Sequence, residues 1–469
     1  MLQPIPLFGL GNVGRSVNAS AQERVNLYAE VSTDGEAGNN LTLYPTPGLT
    51  RFVDMGATPA RGMYPYETGN VIFEVVGSTL WEIAADGTQT NRGTLQPTSG
   101  RVDMVDNGLQ LLIVDGSFGY IYTFASQVFA RITDPDFPAS ETAAFADGYF
   151  IVQKVNTAQF YISAVYDGTS WNPLDFATAE SDPDNLVRVF VDAGVLLLFG
   201  TKTTEFWGAS GATSFPFARI GSAAIEWGLA ARWSLCKFDG SLIFLRKNRL
   251  GAVQVCVLAG TQAIPVSNPD MSYQFSTYST VSNATGFSYM VAGHPFYQIN
   301  FPSANVSWLY DGLTKDWSKV QYGNGGRHRA EIQVNFNNRN YVSDYANGKL
   351  YLLDQNAYTD DGTMIVRQFT GRHQKAGSFT RIPQLWLDME AGVGLASGQG
   401  SNPQVALTIS RDGGKTFGAE IPRSFGAIGN NRARAVWNRL GRARDWVMRF
   451  RVTDPVKTVF VAAWGRVEQ

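Results

Sequence analysis

The feature that most constrains this chain is a hairpin phrase that returns seven times. In Arg101–Val114 an alternating run, Val102-Asp103-Met104-Val105-Asp106, meets the pair Asn107-Gly108, and the apolar run Leu109–Val114 follows. Asn-Gly tolerates positive φ at both central positions of a type I′ turn, whose twist matches right-handed strands, so this stretch predicts a β-hairpin. The phrase recurs with turns at Gly69-Asn70, Asp147-Gly148, Ala193-Gly194, Asp239-Gly240, Ala292-Gly293 and Asn337-Asn338. Turn positions 69, 107, 147, 193, 239, 292 and 337 are spaced by 38, 40, 46, 46, 53 and 45 residues. A period of roughly 45 residues is that of propeller blades.

A third strand follows each hairpin, often a fourth, and the second strand is usually the most apolar, as a strand covered on both faces should be. One four-stranded unit cannot bury both faces, whereas a closed ring can. The sequence therefore predicts an all-β chain: a β-propeller of about seven four-stranded blades, with a C-terminal β-sandwich-like domain. Six blades is the other count, because the last unit's outer strands are weak; the N-terminal segment 43–52 is available to complete it. Trp81, Tyr122, Tyr161, Trp207, Trp308 and Tyr351 recur on third strands and read as wedges between blades, in preference to a ligand-stacking row.

Three regions are expected. Residues 1–58 form an N-terminal arm and entry segment, 59–374 the propeller, and 375–469 the sandwich. Within the arm, Gly9, Gly11 and Gly14 match G-x-G-x-x-G, but no strand precedes them and no helix follows, so nucleotide binding is disfavoured. Pro45, Pro47 and Gly48 make a rigid extended entry to the first blade. Two inserts, Trp171–Leu186 and Arg219–Ser234 (the second with a short helix), are candidate contact points for other chains. After about residue 375 five alternating runs read as sandwich strands. Their hairpin carries Ser410, Asp412, Gly414, Thr416 and Phe417, an Asp-box turn in which side chains bond loop backbone.

Charge is nearly balanced, 38 basic against 40 acidic residues, so the total does not suggest a protein that grips phosphates. The one strong asymmetry is arginine-rich: Arg432, Arg434, Arg439, Arg442 and Arg444 are candidates for a subunit or partner interface, favoured over phosphate contact. Cys236 and Cys256 read as buried hydrophobes, no run is long enough to span a bilayer, and the N-terminus lacks a secretory pattern, so synthesis is expected in the cytoplasm. His294, His328 and His373 have no helical or cysteine partner, which disfavours a zinc or His-based site; no metal or cofactor is expected. Asp354–Gly362 reads as a solvated turn rather than a calcium loop. A propeller with an Asp-box invites a sialidase-like glycosidase, but there is one box and it lies outside the ring, so no catalytic residues are assigned.

The two ends carry a resemblance. RVNLYAE followed by LYPTPGLTRF, and ISRDGGKTFG with RAVWNRLGRARDWVMRFRV, resemble the packaged-DNA-stabilising proteins of short-tailed phages, also called tail nozzle or tail hub proteins. The resemblance implies a structural protein of the virion tail without catalysis: a hexameric tube below the portal and its adaptor that retains packaged DNA and serves as the conduit for ejection. It implies as partners a tail adaptor protein, a tail needle or plug, and tailspike or fibre proteins. DNA would pass through the channel without sequence-specific binding. Residues 22–52 and 405–451 match the family and would be structural. The rival readings are a carbohydrate-active propeller and a receptor-binding adhesin.

Overall fold

The computed structural model describes residues 2–9, 14–17, 20–31, 41–179, 184–212, 215–221, 225–248 and 250–468. Gly11 of the glycine motif and parts of both inserts lie outside them.

Turn chemistry builds the blades. At five of the seven expected turns both central residues take positive φ, as at Asp147-Gly148 (51° and 87°) and Ala292-Gly293 (52° and 82°). Asn107-Gly108 differs, because only Gly108 (84°) does so. Here the asparagine side chain shapes the loop: its Oδ1 accepts the N–H groups of Leu109 and Gln110 at 2.9 and 2.7 Å. Three residues, not two, then join strands Asp103–Asp106 and Gln110–Val114.

Seven units result, each built on four antiparallel strands, with short extra strands in blades 5 and 7. Blades 1 to 6 span residues 60–94, 103–131, 143–178, 186–219, 228–265 and 285–320, and blade 7 has three strands within 330–354. Its fourth strand is Gly48–Asp54, which runs antiparallel to Lys349–Asp354 and so latches the end of the ring with the N-terminal segment. Six of these sheets stand alone, whereas blade 6 is one end of a fifteen-stranded sheet that continues into the sandwich. Each of the seven blade boundaries has its own apolar cluster, including the one between blades 7 and 1, so the ring is closed. The expected wedges sit in these clusters. Tyr122 meets Phe73 of the neighbouring blade at 4.9 Å, and Trp207 meets Phe160 edge-on at 5.2 Å.

The N-terminal arm is a correction. Gln3–Pro4 pairs with the last strand, Phe460–Glu468, and Ile5, Leu7 and Phe8 lie in the sandwich core. Leu27–Val31 and Leu41–Pro45 form a hairpin whose second strand joins Phe460–Glu468. Glu23–Val25 lies between the outer strand of blade 6, to which it is parallel, and the sandwich strand Arg367–Thr370. Gly48 enters blade 7 where a Cβ would stand 2.5 Å from the Ala357 carbonyl oxygen, so only glycine fits. The sandwich likewise begins at Arg367 rather than 375, because Arg367–Thr370 pairs with Arg442–Val452. Trp437, Trp446, Phe450 and Phe460 are fully buried in its core.

The short helix expected within Arg219–Ser234 is not found among its described residues. Gly228–Leu229 instead pairs with Arg246–Lys247, and Gly228 packs against the backbone of Thr201 and Lys202. One α-helix occurs among the described residues, Pro269–Ser276, with Asn268 accepting the Met271 N–H at 2.8 Å as its cap.

Candidate assembly surface

The Asp-box turn follows the strand Gln404–Ser410. Asp412 accepts the Ser410 hydroxyl at 2.6 Å, the Thr416 hydroxyl at 2.6 Å, and the backbone N–H groups of Lys415 and Thr416 at 3.0 Å each. Ser410 Oγ accepts the Gly414 N–H at 2.8 Å. These donors, the Ser410 hydroxyl foremost, hold the Asp412 carboxyl well below the usual carboxylate range. All of these bonds stay within the turn itself. Phe417 completes it as the ring beneath Arg449, whose Cζ lies 3.8 Å from the centroid.

The structure divides the five candidate interface arginines. Arg442 and Arg444, two residues apart on one strand, share a face and stand over Phe379 at 4.7 and 5.3 Å. Arg439 lies in the preceding loop at φ 58°, its backbone N–H bonded to Pro383 O. Arg432 and Arg434 are elsewhere: Arg434 pairs with Asp388 at 2.5 Å and stands over Trp386. Arg442 is in register with Arg381, seven positions from Asp388 along the same strand, so the two groups are roughly 20 Å apart. Arg432, Arg439, Arg442 and Arg444 are exposed, and none meets a carboxylate within 4.0 Å among the described residues. Sequence reading missed Phe379 (47% exposed) and Arg381, which complete the unpaired group. The signal was present as the long alternating run around RIPQLWLDM, whose outward residues share the arginine face.

Where the ring meets the sandwich, one buried ion pair, one half-buried ion pair and an asparagine make the polar contacts. Arg24 pairs with Asp316 and donates to Trp317 O at 3.3 Å, and Lys319 pairs with Glu23 at 2.6 Å. Asn26 donates to Gln321 O and Val366 O at 3.1 and 2.9 Å, fastening both bodies. Within Asp354–Gly362 the turn at Gln355 and Asn356 is exposed, as a solvated turn should be, but Asp360 departs from that reading. Asp360 is 2% exposed, and burial pushes its carboxyl up to about 7 despite the nearby Arg367 guanidinium. A strand pairing with Leu49 draws this residue inward.

Isolated histidines have structural settings here. His294 Nδ1 is 2.8 Å from Asp311 Oδ2, and His328 is buried between blades 6 and 7. No three His, Cys, Asp or Glu residues come together as a metal set among the described residues. Both cysteines are free, and no helix among the described residues is long and apolar enough to cross a membrane.

Comparison with known proteins fits this two-body architecture. The chain is similar to the tail hub protein gp10 of Salmonella phage P22, 23% identical over 255 residues, or 51% of this chain and 52% of that protein. It thus spans about half the length of the curated relative it matches. Among solved structures, the extracellular domain of the hybrid two-component system BT4673 from B. thetaiotaomicron overlaps 72% of this chain and 43% of its own, at 9% identity and TM-score 0.45. The Neurospora crassa Pan2 WD40 domain overlaps 66% and 94%, at 9% identity and TM-score 0.43; neither overlap carries an argument about role. The family described as Bacteriophage P22 Gp10 matches twice, its beta-propeller over residues 3–358 and its beta-sandwich over 367–468, and the chain belongs to that family.

Proposed function

We propose that this chain is a structural protein of the virion tail of a short-tailed phage, assembled as a closed ring of identical subunits around a channel that DNA crosses. The observation that carries the reading is family membership of both bodies, ring and sandwich, over nearly the whole chain. A hexameric ring seated below a portal and adaptor, closed by a needle or plug and decorated by spikes or fibres, is the arrangement this membership favours.

Two physical features support it. A sleeve through which a polyanion slides should not hold it at many phosphates, because every fixed cation adds affinity and friction, and a net charge of −2 meets that demand. A ring built from one kind of subunit needs a heterologous interface that closes, of about 2,000 Å² or more if permanent. The unpaired group Arg439, Arg442 and Arg444, with Phe379, offers cations and an apolar ring to a neighbour's carboxylates. Arg432 and Arg434 would then serve a different contact.

Electron microscopy of the purified chain tests the reading. Six-fold rings with an open centre are expected; a species that stays monomeric at all concentrations and in the presence of portal-adaptor complexes would overturn it.

A further inference from the structure

The axis of the propeller contains a cavity of about 270 Å³, lined by the first strands of the blades and by the segments that lead into them. Three side chains from three blades converge there. Trp233 lies in blade 5 just before its strand Cys236–Phe238, and its carbonyl accepts the Gly286 N–H at 2.8 Å. Two guanidinium groups stand over its ring, Arg101 at 4.9 Å and Arg188 at 5.2 Å. Lys237 joins them on the cavity wall.

The cations are unequally satisfied. Arg188 Nη1 donates to the carbonyls of Arg232 and Leu235 at 3.1 and 3.3 Å, and Nη2 lies 3.9 Å from Asp103 Oδ1. Lys237 has Asp192 at 3.2 Å. Arg101 has no carboxylate within 4.0 Å among the described residues. Its Nη1 and the Nε of Arg188 are both shut off from water with no acceptor. Burial lowers the Arg101 guanidinium to about 10, which leaves it charged at neutral pH. Two like charges held on one indole, with Arg101 in no ion pair among the described residues, leave a surplus of cation on this wall of the cavity.

We infer that the propeller axis is a binding site for a small oxyanion, a carboxylate or a phosphate, held by Arg101 and Arg188 beside Trp233. A guanidinium fork matches two oxygens of one anion, and an occupant bridging the accessible edges of both forks would offset the mutual repulsion of the two cations. The cavity is several times the roughly 30 Å³ share of one water, so it admits a small anion with residual solvent. Asp103 and Glu331, whose charges both act on Arg101, are the opposing features.

The test uses the full chain labelled with 5-fluorotryptophan, with Trp233→Phe assigning the resonance by its loss. Inorganic phosphate and N-acetyl-aspartate amide are titrated separately at constant ionic strength in chloride. A saturating shift of the Trp233 resonance is expected with at least one of them, weakened about tenfold or more by Arg101→Gln. Saturation by phosphate alone identifies a free ion as the source; saturation by the aspartate derivative identifies an acidic side chain of a polypeptide. Linear, unsaturable shifts with both, or an unchanged titration in Arg101→Gln, overturn the inference. Arg188→Gln is the second variant, but Arg188 also holds two carbonyls, so Arg101, which makes no such bond among the described residues, decides the outcome.

Discussion

Arg24 and Asp316 form an ion pair at the seam between ring and sandwich, with side chains only 5% and 8% exposed. The pair anchors the three-residue strand Glu23–Val25, which alone would contribute too few backbone bonds to hold two bodies together. Removing one member strands the other away from water, which typically costs about 3–5 kcal/mol. Arg24→Met should therefore lower the denaturant midpoint strongly, and adding Asp316→Leu should restore most of the loss. A double variant no better than the single one would show that the pair does not carry the seam.

Leu49 tests the latch. It is 2% exposed in the cluster between blades 6 and 7, and its carbonyl accepts the Asp361 N–H at 2.8 Å. Leu49→Ala should cost about 2–5 kcal/mol. Hydrogen exchange should then accelerate first in Lys349–Asp354, the strand it covers, before the other blades respond. Uniform acceleration around the ring would argue against a local closure.

His328 makes stability depend on pH. Burial lowers its pKa from 6.5 to about 4, and its Nδ1 accepts the Ala330 N–H at 3.3 Å, which requires the neutral ring. With the folded value below the unfolded one, the unfolded chain takes up the proton first. Stability is thus full above about 6.5 and falls as pH drops toward 4, by up to about 3 kcal/mol. His328→Gln should flatten urea midpoints across that window; an unaltered slope would assign the dependence to other groups.

Asp412 should act locally. Asp412→Ala is expected to speed amide exchange at Lys415 and Thr416 while leaving the sandwich core protected. Because hydrogen bonds depress its folded pKa, the carboxylate's contribution is complete above the unfolded value of about 3.9 and is lost as pH falls below it. Exchange rates at those amides, compared above and below that value, check the sign.

Charge reversal at Arg439, Arg442 and Arg444 should abolish rings while leaving the monomer's thermal midpoint within about 1 kcal/mol equivalent, since surface changes away from buried networks cost little. Reversal of Arg432 and Arg434 alone should spare the ring. Sedimentation analysis of both variants separates the two ends of the sandwich; rings in the triple variant would place the subunit contact elsewhere.

The blades were legible because each is local: a hairpin turn and an apolar second strand leave their mark within about a dozen residues. Asn107 shows the limit, since a side chain that accepts two amides can replace the backbone conformation its type suggests. Gln3–Pro4 was not legible as a strand, nor were the partners of Glu23–Val25, because those partners lie hundreds of residues away and nothing nearby encodes the pairing. The arginine run was visible as composition, but its division into two groups depends on a strand register. Arg101, Arg188 and Trp233 belong to three different blades, so only ring closure brings them together.

The fastening of both ends of the chain into one sheet system sets a schedule for biosynthesis. Leu43 waits for Phe460, and Gly48 for Asp354, before either finds its partner. At ribosomal speeds of about 5–20 residues per second, the first of those delays lasts roughly 20 to 80 s. Throughout it the nascent N-terminus displays unpaired strand edges, the kind of surface on which holding chaperones act.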